Sequence, residues 1–250
     1  MASRLAGRRA MVTGGGTGLG RAIAERLAAE GAEVTVVGRR EGPLREAAAA
    51  MRGASAAPCD VADEAAVAAL FAALPPQAIL VNCAGAAASA PFGRMTLGHF
   101  RQMLEVNLVS TFLCTRAAIP PMAQDGFGRV VNVASSAGLK GYGYVAAYCA
   151  AKHGVIGLTR ALAAEFARTG VTVNAVCPGY ADTEIVRASV ANIRAKTGRS
   201  QEQALAELVK HNPQGRLVRP EEVADAVAWL CGAEAGAVTG QALGVAGGEV

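Results

Sequence analysis

The pair of residues with the clearest chemical potential is Tyr148 and Lys152, which lie four positions apart. The stretch from Val145 to Ala151 is rich in alanine and free of glycine, which predicts a helix, and a helix places both side chains on one face. An ammonium group that close stabilises a phenolate, so we expect the tyrosine pKa to fall below its usual value of about 10. Such a phenol could exchange a proton with an alcohol or a carbonyl near neutral pH. The alternative is that the spacing is an accident of a helix surface, although none of the other three tyrosines has a lysine four positions later.

A glycine-rich segment near the N-terminus is the second element with a chemical use. The apolar run Arg9–Thr13 predicts a strand, Ala22–Ala29 predicts a helix, and the segment Gly14–Gly20 between them contains five glycines. Glycines in this context let backbone amides approach a pyrophosphate, and the helix N-terminus adds partial positive charge. An ordinary turn between a strand and a helix is the alternative.

The end of the predicted second strand, Glu33–Val37, indicates which dinucleotide would bind. An acidic residue at this point would bind the free 2′-hydroxyl of the adenosine ribose. The chain instead has Arg39 and Arg40, whose guanidinium groups suit a 2′-phosphate and therefore favour NADP(H) over NAD(H). Both arginines could also be solvated turn residues.

Two further predicted strands end at residues that could contact a nucleotide. Ser55–Cys59 leads to Asp60, which could cap the next helix or contact an adenine amine. The fully apolar strand Ala78–Asn82 leads to Ala84 and Gly85, whose small size permits a ligand to approach closely.

The middle of the chain carries two polar candidates. A long helix predicted over Thr96–Ala118 contains Asn107 among apolar residues, where an amide is disfavoured unless its hydrogen bonds are used. The pair Pro120–Pro121 is expected to end or kink this helix. The fifth predicted strand, Arg129–Ala134, has Ser135 at its C-terminal end.

The C-terminal third completes the alternation of strands and helices. Val171–Cys177 and Gln241–Ala246 are predicted strands, and Pro220–Leu230 is a predicted helix. Residues 180–212 interrupt this alternation and are the candidate for a substrate lid. The pattern predicts an α/β fold: a single doubly wound Rossmann-type domain over residues 1–250, with a parallel sheet of about seven strands and a helical lid.

Composition limits the possible functions. The chain has 250 residues, 52% of them hydrophobic, and its net charge of +4 includes no basic run, so a nucleic-acid partner is not expected. No apolar run reaches the length of a membrane span. Six cysteines without a CxxC pair and three scattered histidines indicate neither disulfides nor a metal site, which favours a cytoplasmic protein.

Taken together, the motifs resemble those of the short-chain dehydrogenase/reductase family, in order and in approximate spacing over essentially the whole chain. They are Thr13-Gly14-x-x-x-Gly18-x-Gly20, Asn82-x-Ala84-Gly85, Asn107, Ser135, Tyr148-x-x-x-Lys152 and Pro178-Gly179. The resemblance implies hydride transfer between a nicotinamide and a carbonyl or an alcohol. It assigns Tyr148 as the acid/base, Lys152 as the group that lowers its pKa and binds the nicotinamide ribose, and Ser135 as the contact to the substrate oxygen. Asn107 would hold a water that relays protons to Lys152.

The resemblance also implies a set of cofactor contacts, no metal, and a homotetramer formed through the long helices and the C-terminal strand. Two positions depart from the family pattern: Cys83 stands where a second Asn is usual, and Thr17 stands where many NADPH-dependent members have Arg or Lys. NADP(H) stays favoured and NAD(H) possible. The implied contacts are Gly14, Thr17, Gly18, Leu19, Gly20, Arg39, Arg40, Asp60, Val61, Asn82, Ala84, Gly85, Tyr148, Lys152, Pro178, Gly179 and Thr183.

Within the family, two segments (165–179 and 215–224) resemble the ketoreductases of fatty-acid and aromatic polyketide synthesis. The expected reaction is therefore reduction of a 3-oxoacyl thioester on acyl carrier protein or coenzyme A, with lid cations that either meet the carrier phosphates or form a solvated helix face. One rival is an NAD-dependent dehydrogenase of 3-hydroxyacyl compounds or other secondary alcohols. A second rival is a non-catalytic nucleotide-sensing protein on the same fold.

Overall fold

The computed structural model describes residues 3–250, apart from the side chain of Ile185, and so omits the first two residues of the predicted 1–250 domain. Within the described residues, seven strands form one parallel sheet in the order β3-β2-β1-β4-β5-β6-β7. The order reverses between β1 and β4, which makes the fold doubly wound as predicted. The strands are β1 Arg9–Thr13, β2 Glu33–Gly38, β3 Ser55–Pro58, β4 Ile79–Asn82, β5 Gly128–Val133, β6 Val171–Pro178 and β7 Ala242–Val245.

Helices cover both faces of the sheet because its central strands are buried on both sides. Apolar side chains of α1, α2 and α9 pack on one face, and those of α3, α5 and α6 pack on the other. The helices of the described residues are α1 Gly18–Ala29, α2 Glu41–Ala49, α3 Glu64–Ala73, α4 Leu97–Leu104, α5 Ser110–Gln124, α6 Ala146–Glu165, α7 Glu184–Thr197, α8 Gln201–Val209 and α9 Pro220–Cys231.

The proline pair does not end the long central helix, so the first of the two expected effects was wrong, and the kink stays a prediction. α5 contains Pro120 and Pro121 and continues to Gln124. The turn after the prolines packs Met122 into the core with no exposed surface, and the Asp125 amide closes it by donating to the Pro121 carbonyl. Burial of this turn offsets the backbone hydrogen bonds that the prolines remove. The predicted helix also divides into α4 and α5, which are joined by a π-helical turn at Glu105–Val109.

The glycine loop is held by close backbone contacts on both sides. A Cβ atom at Gly20 would lie 2.2 Å from the Gly14 carbonyl oxygen, and one at Gly14 would lie 3.0 Å from the backbone of Ala84. Gly14 and Gly18 have positive φ angles of 68° and 53°, which side chains disfavour. The loop therefore packs directly against the start of α1, which begins at Gly18 rather than at Ala22.

Residues 180–212 contain two short helices, α7 and α8, between β6 and α9. Gly198 ends α7 with a φ of 70°, and Ser200 caps α8 in a reciprocal capping box with Gln203. Three lid cations are engaged in ion pairs, since Arg187 pairs with Asp182, and Arg199 and Lys210 both pair with Glu207.

Three global features accompany this architecture. No helix in residues 3–250 combines the length and apolarity that crossing a bilayer requires. The same residues hold no group of three or more His, Cys, Asp or Glu side chains suited to a metal ion. All six cysteines are free thiols.

Candidate active site

A cavity of about 460 Å³ opens at the carboxyl ends of the central strands, where parallel α/β sheets bind ligands. One end is lined by the glycine loop, the end of β2 and the residues after β3. The other end is lined by Ser135, Tyr148 and Lys152. Every site residue predicted from the sequence lines this cavity except Asn82.

The glycine-loop end presents unused backbone donors. Thr17 occupies the N-cap position of α1, but its side chain makes no capping hydrogen bond, and the first turn contains no acidic residue. The amides at the start of α1 therefore keep their partial positive charge for a ligand. This arrangement fits the pyrophosphate of a dinucleotide. Thr183 lies on the lid side of the loop, with its Cγ2 3.7 Å from where a Cβ of Gly18 would stand.

Arg39 and Arg40 line the same end of the cavity, just beyond β2, and both are exposed. Neither belongs to any ion pair formed among the described residues, whereas nearby Arg45 pairs with Glu41. Two guanidinium groups without an ion-pair partner at the glycine-loop end of the cavity suit a phosphate.

Asp60 and Val61 line the cavity beyond β3. Asp60 accepts a hydrogen bond from the Ala62 amide at 3.1 Å, so it closes its own turn. The helix cap considered for Asp60 is supplied by Asp63 instead, which accepts from the Ala66 amide at 2.9 Å. Asp60 therefore does not cap the helix, and its contact to an adenine amine stays a prediction.

Asn82 is the one predicted cofactor contact that does not line the cavity. Its side chain is buried inside the sheet layer, where Nδ2 donates to Thr115 Oγ1 and to Asn132 Oδ1, each at 2.9 Å. Asn132 in turn donates to Thr159 at 2.9 Å. The side chain ties β4 and β5 to the helices above them rather than facing a ligand. The sequence alone does not indicate in which direction a polar side chain at the end of a strand points.

Asn107 shapes the segment after β4. It lies in the π-helical turn, and its side chain is fully buried. Asn107 Nδ2 donates to the carbonyls of Ala86 at 2.9 Å and Met103 at 3.0 Å, which confirms that its amide is used. A Cβ at Gly85 would lie 2.6 Å from Asn107 Oδ1 and 3.7 Å from Lys152 Nζ, so only glycine fits between them. The side chain fixes residues 85 and 86 beside Lys152, and the water relay stays a prediction.

Cys83, the departure from the family pattern, also lines the cavity. Its backbone amide and that of Ala84 both donate to Thr13 Oγ1 at 3.0 Å, so the backbone joins β1 and β4 whatever side chain stands at this position. Burial raises the pKa of the thiol to about 11, which keeps it neutral.

The reactive end is built by β5 and α6. Ser135 follows β5, and its Oγ accepts from the Ala137 amide at 3.1 Å. Its side chain also forms a hydrogen bond with Tyr148. Tyr148 lies in the first turn of α6. Lys152 follows one turn later, with Nζ 5.7 Å from the Tyr148 ring centroid and 2.9 Å from the Val133 carbonyl oxygen to which it donates.

The expectation that Lys152 lowers the pKa of Tyr148 was wrong. Burial raises the pKa of Tyr148 to about 12, and an interaction with Ser135 offsets only part of this rise. Burial also lowers the pKa of the Lys152 ammonium to about 8, so its positive charge is itself disfavoured. Desolvation by burial is the largest cause of both pKa shifts.

Sequence reasoning missed two tyrosines that line the reactive end, Tyr142 and Tyr180. Their rings meet edge to face with centroids 6.3 Å apart. Tyr142 follows Ser135 by seven positions and Tyr180 directly follows Gly179, so closeness to predicted site residues was the available signal.

The buried Lys152 ammonium generates a prediction about stability. Its folded-state pKa of about 8 lies below the ordinary 10.5, so the unfolded chain binds more protons between these values and stability rises with pH across this window. At neutral pH the shift corresponds to a cost of roughly 3 kcal/mol. Without added cofactor, Lys152→Met should therefore unfold at a higher temperature than the unchanged protein at pH 7, by roughly 6–12 °C, and the difference should shrink by pH 10.

Thermal unfolding followed by circular dichroism measures this difference. Lys210→Met is the matched control, because Lys210 is exposed and its ion pair with Glu207 lies at the surface. A stabilisation by Lys152→Met that is equal at pH 7 and pH 10 would show that charge burial is not its cause.

Comparison with known proteins places this site in a family. The family model described as enoyl-(acyl carrier protein) reductase matches residues 14–249. A putative ketoacyl reductase of Streptomyces coelicolor is 40% identical over 96% of this chain and 95% of its own length. Cis-4-hydroxycyclohexanecarboxylate dehydrogenase of Sinomonas cyclohexanicum is 39% identical, over 99% of this chain and 98% of its own.

A solved structure gives the same relation in three dimensions. A variant of actinorhodin polyketide ketoreductase, crystallised with NADPH, superimposes with a TM-score of 0.92 at 39% identity, covering 100% of this chain and 99% of that one. The motifs, the doubly wound sheet, the cavity and these matches lead to one conclusion. The chain belongs to the short-chain dehydrogenase/reductase family, and it is an oxidoreductase of that family.

Proposed function

We propose that the protein is an NADP(H)-dependent oxidoreductase that transfers hydride between the nicotinamide and a ketone or secondary alcohol. The observation that carries this proposal is one cavity with two unlike ends. Tyr148 and Ser135 line the reactive end with their hydroxyl groups nearby, and Arg39 and Arg40, which have no ion-pair partner among the described residues, line the glycine-loop end. A bound dinucleotide would supply the hydride, while this chain's residues bind it, orient the ketone and move the proton.

The protein's own contribution to the reaction is proton transfer and orientation. Ser135 can turn its hydroxyl proton from Tyr148 to the ketone oxygen, because its Oγ is held at the cavity by the Ala137 amide. With a pKa of about 12, the Tyr148 phenol is protonated at neutral pH. An alkoxide is a stronger base than a phenolate, so the phenol can protonate the oxygen as charge develops on it. This protonation state favours the direction of ketone reduction.

Lys152 would act after the phenol has lost its proton. A phenolate next to a buried ammonium gains the attraction that the neutral phenol lacks. Lys152 can therefore stabilise the product side of the proton transfer, although it leaves the resting pKa of Tyr148 high. Its bond to Val133 holds the ammonium at the reactive end, beside Gly85.

For the substrate, we propose a 3-oxoacyl thioester carried by acyl carrier protein or coenzyme A. The ketoacyl reductase names of the similar proteins support this substrate. A second cavity of about 420 Å³, the lid recess, shares Gly85, Ala86 and Val145 with the main cavity and is also lined by Asn192 and Lys196. Lys196 belongs to no ion pair among the described residues, so the recess offers a cation to the phosphate of a carrier arm.

The rival reaction is oxidation of a secondary alcohol with NAD. The similarity to a cyclohexanecarboxylate dehydrogenase supports it. The state of Tyr148 argues against it, because a base for alcohol oxidation must be deprotonated, and burial opposes deprotonation in the cofactor-free protein.

We also propose a cytoplasmic homotetramer. Six free thiols suit a reducing compartment. Large apolar side chains are exposed on the long helices and the C-terminal strand, where the family resemblance puts the subunit contacts. They are Phe112 on α5, Trp229 on α9 and Leu243 on β7, which expose between 36% and 41% of their surface.

Light scattering of the purified protein should give the mass of four chains, and a monomer mass would contradict the assembly.

Tyr148→Phe tests the reaction. The ring remains and the proton is lost, so NADPH-dependent reduction of acetoacetyl-CoA should fall by about 10²-fold or more, with NADPH affinity changed by only a few fold. The loss of NADPH absorbance measures turnover. Tyr144→Phe is the control, because Tyr144 is 71% exposed and does not line the cavity. Unchanged turnover in Tyr148→Phe would refute the assignment, and no turnover by the unchanged protein would refute the thioester substrate.

Arg39→Asp tests the cofactor. It removes a donor and places a negative charge near the 2′-phosphate, so the dissociation constant for NADPH should rise by about tenfold or more, and that for NADH much less. Fluorescence titration of each nucleotide measures both constants. Arg52→Asp serves as the control, since Arg52 is exposed and lies outside the cavity. Equal weakening of both nucleotides would show that Arg39 does not contact the 2′-phosphate.

A further inference from the structure

The lid, residues 180–212, is anchored weakly along its length. Among the described side chains of α7, only Val186 is buried, and α8 buries only Ala204 and Leu208. A segment with so few buried apolar side chains opens at a low cost in free energy. The position of the lid over the cavity therefore depends on how its two ends are held.

The two ends of the lid are each fixed by hydrogen bonds to the segment that follows it. At the start, the Tyr180 carbonyl accepts from the Val218 amide at 2.9 Å, and the Asp182 amide donates to the Val218 carbonyl at 3.0 Å. At the end, Asn212 Nδ2 donates to the Arg216 carbonyl at 2.7 Å, which closes the turn after α8. These bonds form a base from which the lid extends.

Residues 246–249 follow β7 and contact both ends of the lid; we name them the clip. At the start of the lid, a Cβ atom at Gly179 would lie 3.2 Å from Ala246 Cβ. At the end of the lid, a Cβ atom at Gly247 would lie 2.1 Å from Asn212 Oδ1. The clip therefore packs against the two points about which the lid would turn.

The contact between Gly247 and Asn212 leaves no space for a side chain at position 247. Gly247 has a φ of 63°, which residues other than glycine disfavour. Asn212 is 9% exposed, its Oδ1 accepts from the Gln214 amide at 2.8 Å, and its Nδ2 is used by Arg216. Because Asn212 cannot turn aside without losing these bonds, a side chain at position 247 would displace the turn that ends the lid.

Glu249 fixes the clip to the reactive end of the cavity. Its side chain is only 1% exposed, and its Oε1 accepts from the Tyr142 hydroxyl at 2.7 Å and lies 2.9 Å from Lys140 Nζ. Its Oε2 would lie 3.4 Å from a Cβ at Gly179. A buried carboxylate held in this way is costly to move, because losing either partner leaves a buried polar group unsatisfied. The clip is therefore a fixed support for the lid.

We propose that the clip holds the lid over the cavity, and that Gly247 and Glu249 are the positioning residues of this support. The lid lines the main cavity through Val186 and the lid recess through Asn192 and Lys196. Releasing it should therefore weaken the binding of substrate more than that of the cofactor, whose glycine loop lies outside the lid. The inference rests on the proposed function only in naming a substrate as what the lid covers.

Limited digestion with trypsin tests the support directly. Arg194 and Lys196 are exposed trypsin sites within the lid, and Arg168 is an exposed site outside it. Gly247→Ala should speed cleavage at the two lid sites by about fivefold or more, because cleavage follows the population of the opened segment. Cleavage after Arg168 should not change. Mass spectrometry of the fragments identifies the sites and their rates.

Two matched controls accompany this experiment. Gly53→Ala carries a similar backbone strain, since Gly53 has a φ of 74°, but no atom of the described residues lies within 4 Å of a Cβ there. It should leave lid cleavage unchanged. Glu249→Gln should speed lid cleavage by about threefold. Glu234→Gln should not, because Glu234 is 44% exposed and its ion pair with Arg4 lies at the surface.

Steady-state kinetics provides a second readout. Gly247→Ala should raise KM for acetoacetyl-CoA by about fivefold or more, whereas the dissociation constant for NADPH should change by no more than about twofold. Fluorescence titration measures the NADPH constant. Gly53→Ala should change neither value, because its position contacts neither the lid nor the cavity.

The outcomes separate this inference from the proposed function. Equal lid cleavage in Gly247→Ala and Gly53→Ala would overturn the role of the clip, and so would an equal rise at the lid sites and at Arg168. Faster lid cleavage supports the clip even if the unchanged protein reduces no acetoacetyl-CoA, a result that would refute the thioester substrate alone. If Gly247→Ala fails to fold, as judged by NADPH affinity, lid cleavage in Glu249→Gln decides the question.

Discussion

The site depends on the burial of one ammonium group at the end of β5. Lys152 is 6% exposed and donates to the Val133 carbonyl, so it is held between a strand end and the second turn of α6. Its neighbours leave it little room: Gly85 and Gly138 are the residues whose absent side chains permit this approach. An uncompensated buried charge is unstable in the free protein, and the same property makes it effective once a negative charge forms beside it.

The burial of Lys152 also explains why the resting phenol is not the activated group that the Tyr-Lys spacing suggested. Spacing reports the direction of a side chain, whereas the pKa depends on how much water both groups lose. Tyr148 and Lys152 shift in opposite directions, to about 12 and about 8, and each shift favours the neutral form. At neutral pH the phenol is uncharged and Lys152 is still an ammonium, so the pair is ready to stabilise negative charge that develops on the phenol oxygen.

The order of elements and most of the site could be predicted from sequence, because parallel strands bring their carboxyl ends to one edge. The glycine loop, Arg39, Ser135 and Lys152 each follow a strand or lie on a helix that starts at this edge. Local pattern did not decide the direction of Asn82, which points into the sheet layer, or the continuation of α5 through two prolines. Both outcomes depend on burial by elements distant in the sequence.

The contact that sequence reasoning could least anticipate joins Glu249 to Tyr142. A glutamate next to the C-terminus would ordinarily be assigned to solvent, since an unpaired carboxylate is rarely buried. Here β7 brings the C-terminus back beside the reactive end, and Lys140 supplies the compensating charge. The strand order that gathers the cavity residues thus also brings Glu249 to the reactive end, where its Oε1 accepts from the Tyr142 hydroxyl at 2.7 Å.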